Sequence, residues 1–296
     1  MEACEVVRLF INKLVVPAEP KRRGNPGYGS LKALRVLVYS RLKGLENDTR
    51  IVEHLQKHAW VVKVLGLRAV PDRTTVGRWW RRYFSLLEEV FRGITGLLQL
   101  IAPTTHLIPD STPLVDLYDL EAKWGYTHEG PFRGFKLHII VNQLGLPLKA
   151  KVTPGNRHDS PLLPRLLEDL EADFVLADAG YDSESNIKAV KAIGAIPVIA
   201  VNPRNGRRRR LAPEHAELLK AKRYLVEQFN GLIKNDVLRK CWARPKGITK
   251  KASMVVAGLI GIDANAVRAL IQGEKSFKTV SQYRGIDPIT VGYGAR

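Results

Sequence analysis

The spacing of apolar residues changes once along this chain of 296 residues, near Thr104, and that change limits the folds open to it. Before Thr104, apolar positions recur at three and four. In LKALRVLVYSRLKGL, Leu31, Leu34, Val38 and Leu42 make a helical stripe, and Gly44 stands where the helix should stop. A second helix is expected from Thr49 to His58, and a third after the start signals Pro71, Asp72 and Thr74 or Thr75. The face of that third helix is expected to carry Val76, Trp79 or Trp80, Tyr83, Leu87 and Val90. A short N-terminal helix leads into Lys21 to Ser30, which concentrates Gly, Pro and charge and reads as a loop.

From Thr104 onward, THLIPDSTPL, FKLHIIVN, LPLKAKVTPG and DFVLADAG are short runs rich in Val, Ile and Leu, bounded by Gly, Pro, Asn and Asp, and read as strands. Helices interleave with them. Ser160 and Pro161 open PLLPRLLEDL as an N-cap followed by proline at the first helical position, SESNIKAVKAIG precedes the strand IPVIAV, and a long helix runs from about Pro213 to Leu238. Strands followed by strand and helix in alternation give a mixed sheet with helices packed on it, an α/β fold. At about 150 residues per domain, the expected organisation is a helical domain over 1–100, an α/β domain over 101–272 and a tail over 273–296.

Composition adds one decisive quantity, the charge. Forty-seven Lys and Arg against twenty-nine Asp and Glu give +18, the footprint of a protein that works against a polyanion, nucleic acid first. Fifteen Lys or Arg and only four acids fall between Pro203 and Lys251. Apolar residues at 45% leave enough material for a real core. A membrane partner is not expected: the longest apolar run, Met254 to Ile262, is closed by Asp263, far short of the roughly 20 residues that cross a bilayer. Glu2 and Glu5 stand where a signal peptide needs positive charge, so a cytoplasmic, nucleoid-associated protein is expected. Cys4 and Cys241 lie far apart with no CxxC or spaced histidine, which suggests neither zinc nor a disulfide framework.

The candidate chemistry lies in acids at strand ends. Asp110 follows the run His106 to Pro109, and Asp178 follows Phe174 to Ala177; a carboxylate beside a dry sheet is costly unless hydrogen-bonded, paired or metal-bound. Singly, each also fits a turn or capping aspartate. In KRYLVEQFNGLIK, Arg223, Glu227 and Lys234 are spaced by four and seven and share a helical face, with Leu225, Phe229 and Leu232 turned toward the sheet. Asp182 is expected to cap the next helix, Asp116 and Asp119 to be exposed, and Asp159 beside His158 to cap a helix start. Lys136 and His138 alternate with Phe135 and Leu137 on one strand, so their face either points to DNA or is plainly solvated. Arg78, Arg81 and Arg82 beside the two tryptophans are placed as a recognition helix would present cations, or as a solvated basic face. Arg207, Arg208, Arg209 and Arg210 are candidates for backbone contact with DNA.

DSTP near a first strand, RGFKLHIIVNQLGLPLKAKVTPGNRHDS, VLADAGYDS, and R-x3-E-x6-K on a late helix together resemble the DDE transposases of prokaryotic insertion sequences. The resemblance runs from roughly Ser30 to Leu270. It implies a ribonuclease-H-like core with Asp110, Asp178 and Glu227 as catalytic, metal-holding acids and Arg223 and Lys234 as their flanking cations. Lys220 stands where the family often has tyrosine. The implied reaction uses two Mg²⁺ ions, with Mn²⁺ as a substitute, set about 4 Å apart to activate water and stabilise a leaving 3′-oxygen. Implied partners are double-stranded DNA, at the element's ends and in the target, and a second copy of the chain. Two rival readings share the scaffold: a DNA-binding regulator without catalysis, and a metal-dependent nuclease without strand transfer.

Overall fold

The structure is a computed structural model and describes residues 3–13, 27–127, 129–203, 210–239 and 245–274. Arg207, Arg208 and Arg209, Cys241 and most of the expected tail therefore lie outside the described residues. The helical region holds α1 (Ala3–Lys13), α2 (Ser30–Leu42), α3 (Asp48–Lys57), α4 (Ala59–Val64), α5 (Arg73–Arg82) and α6 (Phe84–Ile101). Local chemistry sets its boundaries. Asn47 accepts from the Arg50 amide to start α3, and Asp72 accepts from the Thr75 amide to start α5. The Thr74 and Thr75 hydroxyls also donate to Asp72 and hold its carboxyl well below the usual range. Gly44, at φ 66°, follows the end of α2 in the left-handed region that glycine tolerates. The expected third helix is broken at Tyr83, whose φ of −108° and ψ of 20° leave the helical well. The break lets α5 pack on α3 while α6 runs along the last helix, α10 (Ile248–Ile271).

Helix α10 packs against α1, α2, α5, α6 and the sheet, so residues beyond the α/β region complete the core of the helical one. It is long and apolar enough to cross a membrane by length and composition, and 89% of its most apolar window is buried inside the protein. The helix continues past the apolar run that Asp263 closes, with Asp263 and Asn265 fully buried, and burial pushes the Asp263 carboxyl well above its ordinary range, toward the neutral acid.

The sheet contains β1 (His106–Val115), β2 (Lys123–Thr127), β3 (Gly130–Asn142), β4 (Pro147–Pro154), β5 (Phe174–Ala177) and β6 (Ile196–Ile199). Its order is β2-β3-β1-β5-β6, with β4 also paired to β3. Strands β1 to β4 pair antiparallel through β3, whereas β5 and β6 extend the sheet in parallel from β1. This is the mixed sheet expected from the sequence, flanked by helices. Helices α7 (Leu163–Leu167) and α8 (Glu184–Ala192) lie on the β4 to β6 crossovers, and α9 (Pro213–Gly231) crosses β1, β3 and β5.

Register explains where the sheet opens. Asp116 donates to Arg133 directly across the β1–β3 ladder, so amides of even-numbered β1 residues face β3 and those of odd-numbered ones face β5. Pro109 and Pro113 thus lack the amides that would continue the ladder toward β5. Pairing of β1 with β5 stops after Leu107, and Asp110 stands beyond the point where the strands part.

Candidate active site

Asp110 lies on β1 opposite Ile139, and Asn230 of α9 donates from Nδ2 to its Oδ2 at 2.9 Å. Burial pushes its carboxyl up to about 6; the Ser111 amide and Arg223 oppose that shift, while Asp178 and Asp159 add to it. Asp178 is the first residue after β5. Its Oδ1 accepts from the Gly180 amide at 2.9 Å, and a Cβ on Gly180 would sit 3.1 Å from that oxygen. Its Oδ2 faces Arg223 Nη2 at 3.5 Å, and the same guanidinium reaches Glu227 Oε1 at 3.5 Å through Nε. One arginine therefore joins Asp178 to Glu227, and its field also reaches Asp110. Glu227 remains 61% exposed. Among the described residues, no three acids, histidines or cysteines lie close enough to hold a metal ion as they stand. The three-acid pocket expected from sequence is thus drawn together in part, with Arg223 between its second and third members.

Several expectations need correction. Lys136 does not face open surface; it is buried and donates to Asp159 Oδ1 at 3.1 Å, because the strand face it shares with His138 is covered. His138 Nδ1 lies 3.5 Å from the same oxygen and Nε2 meets Thr153 Oγ1 at 2.8 Å. Burial lowers the His138 pKa to about 4, so the ring is neutral at pH 7. Asp159 makes no side-chain cap; it serves this buried pair, whereas His158 is exposed. Asp182 accepts the Asn202 amide, and Ser183 caps α8 instead. Asp116 and Asp119 are buried, bound to Lys251 Nζ at 2.6 and 3.3 Å.

Lys234 is half-buried and follows Arg223 and Glu227 on a widened stretch of the helix. After Gly231 the chain widens into a π-helical turn over Leu232–Val237, which retards the angular advance per residue. That turn seats Val237 against α10 at Gly258, where any Cβ would meet its Cγ1. Leu225 and Phe229 are buried as expected, and Leu232 is half-buried. Arg78, Arg81 and Arg82 are exposed on α5, with Trp79 and Trp80 in the core. Arg81 donates to the Lys246 carbonyl at 2.7 Å and Arg82 lies over the Tyr83 ring. Arg210 is exposed, ahead of α9.

Sequence reasoning missed Asn230 and Tyr181. Asn230 follows Glu227 by three residues, a helical spacing that signals a shared side of α9. Tyr181 is buried, and burial together with Asp159, Asp110 and Asp178 holds its hydroxyl protonated well above the ordinary range.

With this geometry in place, comparison with known proteins gives the family. A family model described as the transposase DDE domain matches residues 102–259, more than half of the chain. The chain belongs to this family. The matched DDE domain begins where the apolar spacing changes and contains Asp110, Asp178, Arg223, Glu227 and Asn230. A model described as a transposase domain (DUF772) matches residues 4–82, ahead of the DDE domain. A protein assigned as transposase for insertion sequence element IS6501 of Brucella ovis is 41% identical over 70 residues, 21% of this chain and 54% of that protein. The transposase for insertion sequence element IS1106 of Neisseria meningitidis serogroup B is 37% identical over 75 residues, 25% of this chain and 26% of that protein. The chain thus spans about half or less of the length of these relatives. The cryo-EM structure of piggyBac transposase synaptic complex with hairpin DNA aligns at a TM-score of 0.48 and 11% identity, over 95% of this chain and 74% of that one.

Proposed function

We propose that the protein is a transposase that cuts phosphodiesters at the ends of a mobile DNA element and joins the freed 3′-hydroxyls to target DNA. Asp110, Asp178 and Glu227 are its catalytic acids. The observation that carries this reading is one arginine, Arg223, paired with Asp178 and Glu227 and felt by the buried Asp110, whose carboxyl is raised to about 6, inside a DDE domain. Paired acids and exposed cations answer the demands of phosphoryl transfer.

The donor set fits a hard divalent cation. Besides the carboxylates, Asn230 Oδ1 is buried without a hydrogen-bond partner, beside the Asp110 that its amide nitrogen contacts. Oxygen donors of this kind suit Mg²⁺, with Mn²⁺ as a substitute. When bound, two such ions supply Lewis-acid activation of water and stabilise the leaving 3′-oxygen. Glu227 joins the other acids by releasing Arg223, an exposed i,i+4 contact worth roughly 0.5 kcal/mol or less. Asp110 gives up its proton near pH 6, so it is largely ionised at neutral pH. Asn230 orients that carboxylate, and Arg223, once released, neutralises a substrate phosphate.

Double-stranded DNA is the substrate, and two copies of the chain pair two element ends. Lys234, Arg78, Arg81, Arg82 and Arg210 are positioned for sequence-independent phosphate contact. Cleavage of an end-bearing duplex in Mg²⁺, and joining of a pre-cut 3′-hydroxyl end to a second duplex, test the reading with wild type and Asp178→Ala. Wild type should cut and join while the variant does neither. Binding without cutting by both proteins would favour a regulator, and cutting without joining a nuclease.

A further inference from the structure

Segment 115–126, between β1 and the end of β2, has its polarity inverted. Asp116 and Asp119 point inward and are buried, while Leu117, Tyr118, Leu120, Trp124 and Tyr126 stand 52%, 81%, 91%, 64% and 73% exposed. Half of the twelve large apolar residues exposed among the described residues, Val115 included, fall in this one stretch. The exposure does not come from a loose loop. Lys251, itself buried, binds both aspartates, and Arg133 donates to the Leu117 and Asp119 carbonyls. The amides of Gly247 and Ile248, at the start of α10, donate to Asp119 and Glu121 at 2.8 and 2.9 Å. Internal contacts thus hold Leu117, Tyr118 and Leu120 out into water, and pairing of β2 with β3 holds the exposed Trp124 and Tyr126 in place.

Cations border the patch. Tyr118 and Leu120 share an open cleft of about 420 Å³ with Arg81 and Lys246, and with Asp119 and Glu121, whose carboxylates accept from the Gly247 and Ile248 amides. Lys246 is 54% exposed, and Lys123 is exposed beside Trp124. Asp116 and Asp119 lie below the surface, paired with Lys251, and the Lys246 ammonium also reaches Asp116 at 4.0 Å. A symmetric contact between two copies would gather a second set of Arg81, Lys123 and Lys246 into the same patch, in a chain of charge +18. A polyanion that offers flat apolar faces satisfies both halves of the surface. Paired duplex does not, because its bases are stacked inside; unpaired bases do.

We propose that segment 115–126 is a stacking platform for unpaired DNA bases, with Trp124 and Tyr126 as its principal rings and Arg81, Lys123 and Lys246 neutralising the adjoining backbone. The proposal rests on the reading of the protein as DNA-acting. It adds a preference for frayed or distorted DNA, set by residues away from Asp110 and Asp178.

Binding of the full chain to two labelled DNAs tests it: a blunt duplex, and the same duplex with a four-nucleotide single-stranded tail. Fluorescence anisotropy is measured for wild type, for Trp124→Ala with Tyr126→Ala, and for Trp124→Phe with Tyr126→Phe, each checked for an unchanged melting temperature. Wild type should prefer the tailed duplex by about five- to a hundred-fold, the range of base stacking. The alanine pair should bind the two DNAs alike, and the phenylalanine pair should keep most of the preference. An alanine pair that retains the preference, or a wild type that lacks one while binding blunt duplex, overturns the platform and leaves the transposase reading standing. Failure to bind either DNA overturns both. A DNA-free dimer in sedimentation that the alanine pair abolishes makes the patch a self-interface and overturns the platform.

Discussion

Asp110→Asn should stabilise the protein at pH 8 and leave it nearly unchanged at pH 4. The carboxyl shifts from an unfolded value of 3.8 to about 6 in the folded chain, through burial and two acidic neighbours. Between those values the folded state binds more protons than the unfolded one, so stability falls as pH rises through that window and stays lower above it. The rise from 3.8 to about 6 corresponds to roughly 3 kcal/mol, carried in full at pH 8 and largely gone at pH 4. Asparagine keeps the shape and an oxygen for the Asn230 amide but removes the charge. At about 2 °C per kcal/mol, toward the lower end for larger chains, the variant should melt about 5 °C higher at pH 8. Calorimetry in EDTA at pH 4, 6 and 8 makes the comparison. Equal melting temperatures at pH 8, or a gain of the same size at pH 4, would refute the account of Asp110 as an acid kept charged against its surroundings.

Two further outcomes are expected. Adding Mg²⁺ at neutral pH should raise the melting temperature of wild type and not of Asp178→Asn, because a ligand that binds only the folded state stabilises it; calorimetry with and without EDTA reads this directly, and an equal rise in both proteins would remove Asp178 from the metal site. Lys251→Met should cost about 3–5 kcal/mol by urea denaturation, since it strands Asp116 and Asp119 without their cation, and adding Asp116→Asn and Asp119→Asn to it should recover much of that loss.

What could be read before the structure was local. Stripe and stop along Leu31 to Gly44 depend on neighbours within a few residues, and that helix lies where its pattern places it. Asp110 and Asp178 stand out because an acid after an apolar run is locally anomalous. The misreadings share a cause, which is partners distant in sequence. Asp116 looks solvated until Lys251, 135 residues later, is packed against it. Asp159 looks like a cap until Lys136 and His138 arrive from another strand. Short α4 and β2 carry too few residues for a period to register. The π turn around Lys234 seats Val237 against Gly258 of α10, a partner that no helical spacing encodes.

The place of α10 sets an order on the birth of the molecule. Helices α2, α5 and α6 leave the ribosome early, but the apolar wall they close upon is made from residues 248–271. At about 5–20 residues per second, the intervening chain takes on the order of ten seconds to synthesise. Throughout that interval the first helices must keep a greasy flank open or covered by a chaperone, and Arg78, Arg81 and Arg82 of α5 stand on a settled scaffold only near the end of translation.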